Sequence, residues 1–479
     1  MFGKKFNLED VSWPNKRYGI IIDMKLSEEL IWRGFQAETT IKDPSTLDTR
    51  ESKKFYLGAD PSADSLTIGN LAALMMCACF VRHGYEPTLL VGGATGQIGD
   101  PKETGERDLK SLDEVEHNKE CIKRQIMKIM NIDGLDDEIV NPDFVGPVGG
   151  SAETVGASPV TTGAGDRYPQ NGHSQAQVTR LRMVDNYDWF KDINYLSFLR
   201  EVGKTFSMTQ LLDRQFIQAR IGEGGSGISY AEFSYTLIQG YDFLHLYRKY
   251  GISLQLCGAD QFGNCSSGIH LIKRLENATA DAWSTPLVID PVTGRKFGKS
   301  EGNAIWLAST DNGSGNYTSV FDFYQFWLNQ PDDSVEYLLK IYTIYDKEMI
   351  ESTIKDHKAH PEDRLAQKLL ARGATEVVHG KTNAEAAINL TNILFGGQDI
   401  NNLSSTDIEN IALLLPMAPL GTKIVDALTE TGLAQSKKEA NRLLASGAIS
   451  VNGEKVSEDA EINTLAILKR GKNKFAIIK

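Results

Sequence analysis

Residues 56–70, YLGADPSADSLTIGN, carry a strand into a helix. Phe55, Tyr56 and Leu57 are apolar and β-favouring; the pattern breaks at Gly58 and turns through Asp60 and Pro61. Residues 71–76, LAALMM, are strong helix formers, so Gly69 and Asn70 fall in the first helical turn, where unpaired N–H groups favour an anion. A strand that enters a helix N-terminus through a glycine-containing turn is how α/β folds present a phosphate site. The same letters also fit an ordinary strand-to-helix connection.

Working outward, a short amphipathic helix is expected over 26–34, and an apolar strand over 87–91 runs into Gly92, Gly93 and Gly96. Those glycines either let backbone approach a ligand or make a glycine-rich turn. Apolar strands alternating with helices at 71–83 and 112–130 indicate a parallel sheet with covering helices, a Rossmann-like doubly wound α/β domain. A helix over 228–247 puts Tyr235, Gln239 and Asp242 on one face, which either meets water or lines a pocket. At 254–261, LQLCGADQ reads as a further strand and turn; Asp260 at its carboxyl end suits ribose hydroxyls, or caps the next helix. Residues 296–300, KFGKS, follow the turn-like DPVTG at 290–294 and place two lysines about a glycine, able to grip a polyphosphate or to form a solvated basic loop.

Taken together, Thr67-Ile68-Gly69-Asn70 and KFGKS resemble the HIGH and KMSKS signatures of class I aminoacyl-tRNA synthetases. GADPSADSL, VGGATGQIGDP, ISYAEFSYTLIQGYDFLHLY and LQLCGADQFGN resemble the bacterial and organellar tyrosyl-tRNA synthetases, and the resemblance runs from about residue 28 to the C-terminus. It implies that Tyr56 and Asp242 bind the phenol of tyrosine, and that Asp100, Tyr235 and Gln239 hold its ammonium group. Gly58, Asp60, Gly69, Gly258, Asp260 and Gln261 then border ATP, with Asp260 on the ribose. Ser62, Thr67, Asn70, Lys296, Lys299 and Ser300 serve the reacting phosphates, with Lys102 and Arg107 as further basic candidates. The implied reaction has two steps, in which ATP and tyrosine give tyrosyl-adenylate and pyrophosphate, and the tyrosyl group then passes to the terminal ribose of tRNA(Tyr). Positioning and charge stabilisation carry such a reaction. Magnesium accompanies ATP as substrate, without a dedicated protein cage or a tightly bound cofactor, and the resemblance implies a homodimer.

The 479 residues have room for two or three domains. No apolar run reaches membrane-spanning length, and the first residues lack an apolar signal core, so a cytoplasmic location is expected. Five cysteines without a C-x-x-C pair suggest neither a disulfide framework nor a zinc site. Residues 1–315 are expected to form the catalytic domain, interrupted near 145–179 by a Gly/Ser/Thr-rich surface insertion. Residues 316–403 read as an α-helical domain, which the resemblance makes the anticodon-binding one; there His379 reads as structural. Residues 404–423 are expected to be a linker, and 424–479 a small α+β RNA-binding domain shared with a ribosomal protein. Net charge is −12, yet from Ala434 onward nine Lys or Arg stand against five Asp or Glu. A basic module on an acidic body fits local RNA contact, with Lys437, Lys438 and Arg442 on one helix facing phosphates.

One departure bears on activity, because Thr67 and Asn70 stand where the signature has histidines. A catalytically weakened RNA-binding paralogue, or another nucleotidyltransferase making a small-molecule adenylate, are the competing classes. The substitution favours the first, and the two RNA-binding domains oppose the second.

Overall fold

The computed structural model describes residues 24–101, 109–130, 181–212, 215–291, 293–294, 296–297, 304–471 and 474–479. The insertion near 145–179, Lys102, Arg107, Lys299 and Ser300 lie outside them.

Five parallel strands form the first sheet: β1 (Lys54–Ala59), β2 (Glu86–Val91), β3 (Arg182–Asp185), β4 (Leu254–Gly258) and β5 (Asp281–Thr285), in the order β3-β2-β1-β4-β5. The order reverses between β1 and β4, where chains leave the sheet in opposite directions and open a crevice at the strands' carboxyl ends. Strand β1 continues through Gly58 and stops at Ala59, so the turn begins at Asp60. The Ile68–Arg82 helix returns the chain from β1 to β2; ten of its fifteen residues are buried, as expected of a helix covered on both sides. Tyr230–Tyr250 and Phe262–Glu276 pack together and flank β4, the first ending at Gly251 in the left-handed region that favours glycine.

Helices between Val320 and Phe395 dock on this sheet domain through a shared core that includes Met75, Trp283, Phe323, Trp327 and Tyr342. Polar ties fix the junction. Arg33 donates to the carbonyls of Lys340, Thr343 and Tyr345 at 2.8–2.9 Å, and Glu29 accepts from Arg33, Arg82 and His83. The Tyr342 hydroxyl donates to the Ile68 carbonyl, at the very start of the signature helix.

Residues 404–423 are not a linker. They hold the Ser405–Ala412 helix and strands β6 (Met417–Ala418) and β7 (Thr422–Lys423). With β8 (Ile449–Val451), β9 (Glu454–Val456), β10 (Glu461–Ile462), β11 (Ala466–Arg470) and β12 (Lys474–Ile478), these strands form the C-terminal sheets, β6-β12-β11-β8-β9 and β10-β7. Short two-residue strands have no periodicity to read, and their partners, β12 for β6 and β10 for β7, lie far along the chain. Ile467, Phe475 and Ile477 share an apolar cluster with Phe321, Leu390, Ile400 and Ile411, so the C-terminal unit is fastened to the helical one.

Candidate active site

The crevice between β1 and β4 gathers most of the residues singled out in the sequence. Tyr56, on β1, is 1% exposed and its hydroxyl has no hydrogen-bond partner among the described residues. Asp242 is 2% exposed and accepts from Trp189 Nε1 at 3.0 Å and Asn186 Nδ2 at 3.1 Å. Burial pushes the Asp242 carboxyl well above the usual carboxylate range; the Asn186 and Trp189 donors work against that shift. Burial likewise raises the Tyr56 phenol, with the Cys265 thiol and the Asp242 carboxylate nearby adding to it. The Tyr56 ring meets Phe243, the residue after Asp242, edge-on at 5.1 Å.

One hydrogen-bond chain runs across the floor. Tyr235 donates to Asp60 Oδ2 at 2.6 Å, Thr95 to Asp60 Oδ1 at 2.7 Å, and Asn186 to both Thr95 and Asp242. The Ala94 N–H fixes the Asn186 side chain by donating to its oxygen at 2.7 Å. Burial raises the Tyr235 phenol, and Asp60, Asp100 and Asp242 reinforce the effect, so three carboxylates surround its hydroxyl. Asp100 accepts from Gln261 at 2.8 Å and Asn264 at 3.2 Å. The Gln239 side-chain oxygen is buried without a partner. Carboxylates with unpartnered neutral acceptors and a free phenol describe a site for a cation at one end and a hydroxyl at the other.

The glycine turn after β2 is closely packed by its own neighbours. A Cβ on Gly92 would stand 2.1 Å from both Asp60 and Thr95, and one on Gly93 would stand 2.2 Å from Asp185. Gly96 would strike Pro61 at 2.8 Å. The glycine turn therefore lets Asp60, Thr95 and Asp185 close in on the backbone.

Thr67 precedes the Ile68–Arg82 helix, and its N–H and hydroxyl both donate to Asn70 Oδ1, at 3.0 and 3.1 Å. Asn70 thus closes the helix start with its oxygen, which turns its amide nitrogen away from that bond. Lys296 is exposed, beside Phe297, which donates to the Val288 carbonyl; Ile289 and Lys296 form an antiparallel bridge. The Phe297 carbonyl lies 2.9 Å from where a Gly69 Cβ would be, so the two signature stretches, far apart in sequence, meet over a position that only glycine fits. Asp260 is exposed just past β4; the following helix starts after Gln261 without a side-chain cap, which sets aside the capping alternative.

Four residues of the site went unread in the sequence: Thr95, Asn186, Trp189 and Asn264. The available signal was a polar residue directly after a strand of a parallel sheet, as Asn186 is after β3. Among the described residues, the one group with metal-ligand geometry is Glu29, Cys79 and His83. It sits at the far end of the Ile68–Arg82 helix from Thr67, and the guanidiniums of Arg33 and Arg82 on the same carboxylate repel a cation, so it reads as a structural tie. All five cysteines are buried and free, and His379 is buried edge-on to Phe323.

Residues 48–396 match the family described as tRNA synthetases class I (W and Y), and residues 407–479 match the tyrosine–tRNA ligase SYY-like C-terminal domain. The chain belongs to the class I tRNA synthetase family. A tyrosine–tRNA ligase of Streptococcus gordonii is 35% identical over 469 residues, covering 95% of this chain and all of the relative. One from Flavobacterium psychrophilum is 36% identical over 474 residues, covering 95% and 99%. Among solved synthetases of the family, a C-terminally truncated mitochondrial tyrosyl-tRNA synthetase of Aspergillus nidulans superposes with a TM-score of 0.61 at 26% identity, covering 78% of this chain and 94% of that one. The class I match covers the parallel sheet and the helical unit, and the SYY-like match covers the small C-terminal domain.

Proposed function

We propose that this chain joins tyrosine to tRNA(Tyr): it forms tyrosyl-adenylate and pyrophosphate from tyrosine and ATP, then passes the tyrosyl group to the terminal ribose of the tRNA. The observation that carries this reading is the buried, unpartnered Tyr56 hydroxyl beside the buried Asp242 carboxylate. A phenol entering there donates its proton to Asp242 and accepts one from Tyr56, satisfying a polar atom that is otherwise costly to bury. Asp100, Tyr235 and Gln239 take the ammonium group. The tyrosine carboxylate is thereby aimed at an α-phosphate lying along Gly58, Asp60, Gly69, Gly258 and Gln261, with Asp260 on the ribose.

No side-chain nucleophile is called for, so the residues act by position and charge. Ser62, Asn70, Lys296, Lys299 and Ser300 take up charge on the departing pyrophosphate. Magnesium travels with ATP; the Glu29 group is at the wrong end of the helix to hold it. The helical unit and the C-terminal unit bind tRNA, the latter through Lys437, Lys438 and Arg442; an RNA phosphate would exchange with Asp426, which pairs with Lys437 at 2.6 Å on an exposed face. No helix among the described residues is long and apolar enough to cross a membrane, and we place the enzyme in the cytoplasm as a homodimer.

A weakened RNA-binding paralogue is favoured by one observation, that the Thr67 hydroxyl standing in place of the signature's histidine donates to Asn70 Oδ1 at 3.1 Å. Charging of purified tRNA(Tyr) with labelled tyrosine decides between them. Stable tyrosyl-tRNA supports the ligase reading, whereas tRNA binding without charging supports the paralogue.

A further inference from the structure

On the Tyr230–Tyr250 helix, Asp242 and His245 are three residues apart and so share a face. Trp189, which follows β3, spans both. Its indole N–H donates to Asp242 Oδ1 at 3.0 Å, while its ring lies flat on the His245 imidazole with centroids 4.3 Å and planes 14° apart. Among the described residues the His245 Nε2 is buried without a hydrogen-bond partner, and it is the face of the imidazole that meets Trp189. Burial, and then the Lys249 and Arg248 charges, lower the affinity of this ring for a proton, which leaves it neutral against the indole. Tyr241 stands farther off, at 6.3 Å and a tilted angle.

A hydrogen bond weakens steeply once its donor swings out of line. The indole can turn about its side-chain torsions, and the flat contact with His245 is what opposes that turn on the ring's face. We propose that His245 is a positioning residue for tyrosine specificity: stacked on Trp189, it aims the indole N–H at Asp242 and holds the carboxylate where a substrate phenol must meet it. This inference rests on the tyrosine-binding reading given above. Tyrosine uses Asp242 and phenylalanine does not, so loss of the stack weakens the first substrate selectively.

The test is ATP–pyrophosphate exchange on the full chain, with tyrosine and with phenylalanine, for the parent, His245→Leu and His245→Phe. Leucine removes the flat ring and is expected to raise KM for tyrosine about twofold to tenfold, the worth of one aromatic pair. The kcat, the KM for ATP and the kcat/KM for phenylalanine should stay near the parent values. Phenylalanine keeps a flat ring and gives up both imidazole nitrogens, of which Nε2 is buried without a partner, so His245→Phe should restore the tyrosine KM. The inference is overturned by an unchanged tyrosine KM in His245→Leu, by equal losses for both amino acids, or by a His245→Phe variant as weak as His245→Leu. A parent without tyrosine-dependent exchange is a separate result, which overturns the ligase reading and this inference with it.

Discussion

Replacing Asp242 with asparagine keeps its shape and puts an NH2 group where one carboxyl oxygen stood. In the parent, both carboxylate oxygens accept N–H donors, from Trp189 and from Asn186, inside a site that excludes water. An asparagine there presents one acceptor and one donor group, so whichever way it turns, its NH2 faces the N–H of Trp189 or of Asn186. The substrate phenol at the same time loses its carboxyl acceptor. Leaving a buried donor unsatisfied costs about 1–3 kcal/mol, so kcat/KM for tyrosine should fall by about 5- to 150-fold. Phenylalanine, which offers nothing to Asp242, should be activated about as well as before, and KM for ATP should not move. Steady-state ATP–pyrophosphate exchange with each amino acid reads all three quantities. A folded Asp242→Asn variant with the parent's tyrosine kcat/KM, or one whose tyrosine and ATP parameters decline together, would refute the assignment of Asp242 to the phenol.

Three further changes probe other parts of the molecule. Thr67→His should speed the adenylate step by roughly tenfold, the low end of what one transition-state donor contributes; losing the Thr67 hydroxyl from the helix start costs about 1 kcal/mol of stability. Rapid-quench measurement of adenylate formation checks the rate, and an unchanged value with intact tyrosine and ATP affinities would mean that another donor already serves. Removing 404–479 as a unit should leave adenylate formation and abolish tRNA charging, whereas a cut at Ile424 strands β6 and β7, and either cut uncovers Phe321 and Leu390; normal charging by the shortened chain would contradict this division of labour. For Glu29, burial works to raise the carboxyl, but His83, Arg82 and Arg33 outweigh it and hold it well below the usual range. A depressed carboxyl stabilises the fold above its unfolded value of 4.5 and loses that contribution as pH falls towards the folded one. Glu29→Gln should therefore cost about 3–5 kcal/mol at neutral pH in denaturant titration, with the gap narrowing below pH 4.5; a gap that is constant with pH would sink this view.

Local pattern was enough for the strand–helix units. The run into residues 71–76, and the 112–130 helix, which appears as Leu112–Met130, follow from spacing and helix propensity alone. The helix over 228–247 appears as Tyr230–Tyr250, and its polar stripe faces the crevice and not water, because the parallel sheet covers that side. What could not be read depends on which strand ends are neighbours. Asn186 and Trp189 reach Asp242 only because β3 lies beside β2, and β1 beside both β2 and β4; no local pattern encodes that adjacency. The close approaches at Gly92 and Gly93 have the same origin, since their partners Asp60, just past β1, and Asp185, at the end of β3, come from other parts of the sheet. The 404–423 stretch reads as a linker because its strands are two residues long and are stabilised by partners elsewhere in the chain.

The most direct measurement is single-turnover mixing of the purified full chain with ATP, magnesium and either tyrosine or phenylalanine, followed by detection of the aminoacyl-adenylate. With tyrosine, enzyme-bound tyrosyl-adenylate should accumulate with one pyrophosphate released for each adenylate; with phenylalanine at equal concentration far less adenylate should form, because Tyr56 and Asp242 would be left unpaired. Failure to form adenylate with tyrosine, or equal yields from the two amino acids, would contradict the reading of this crevice as a tyrosine-activating site.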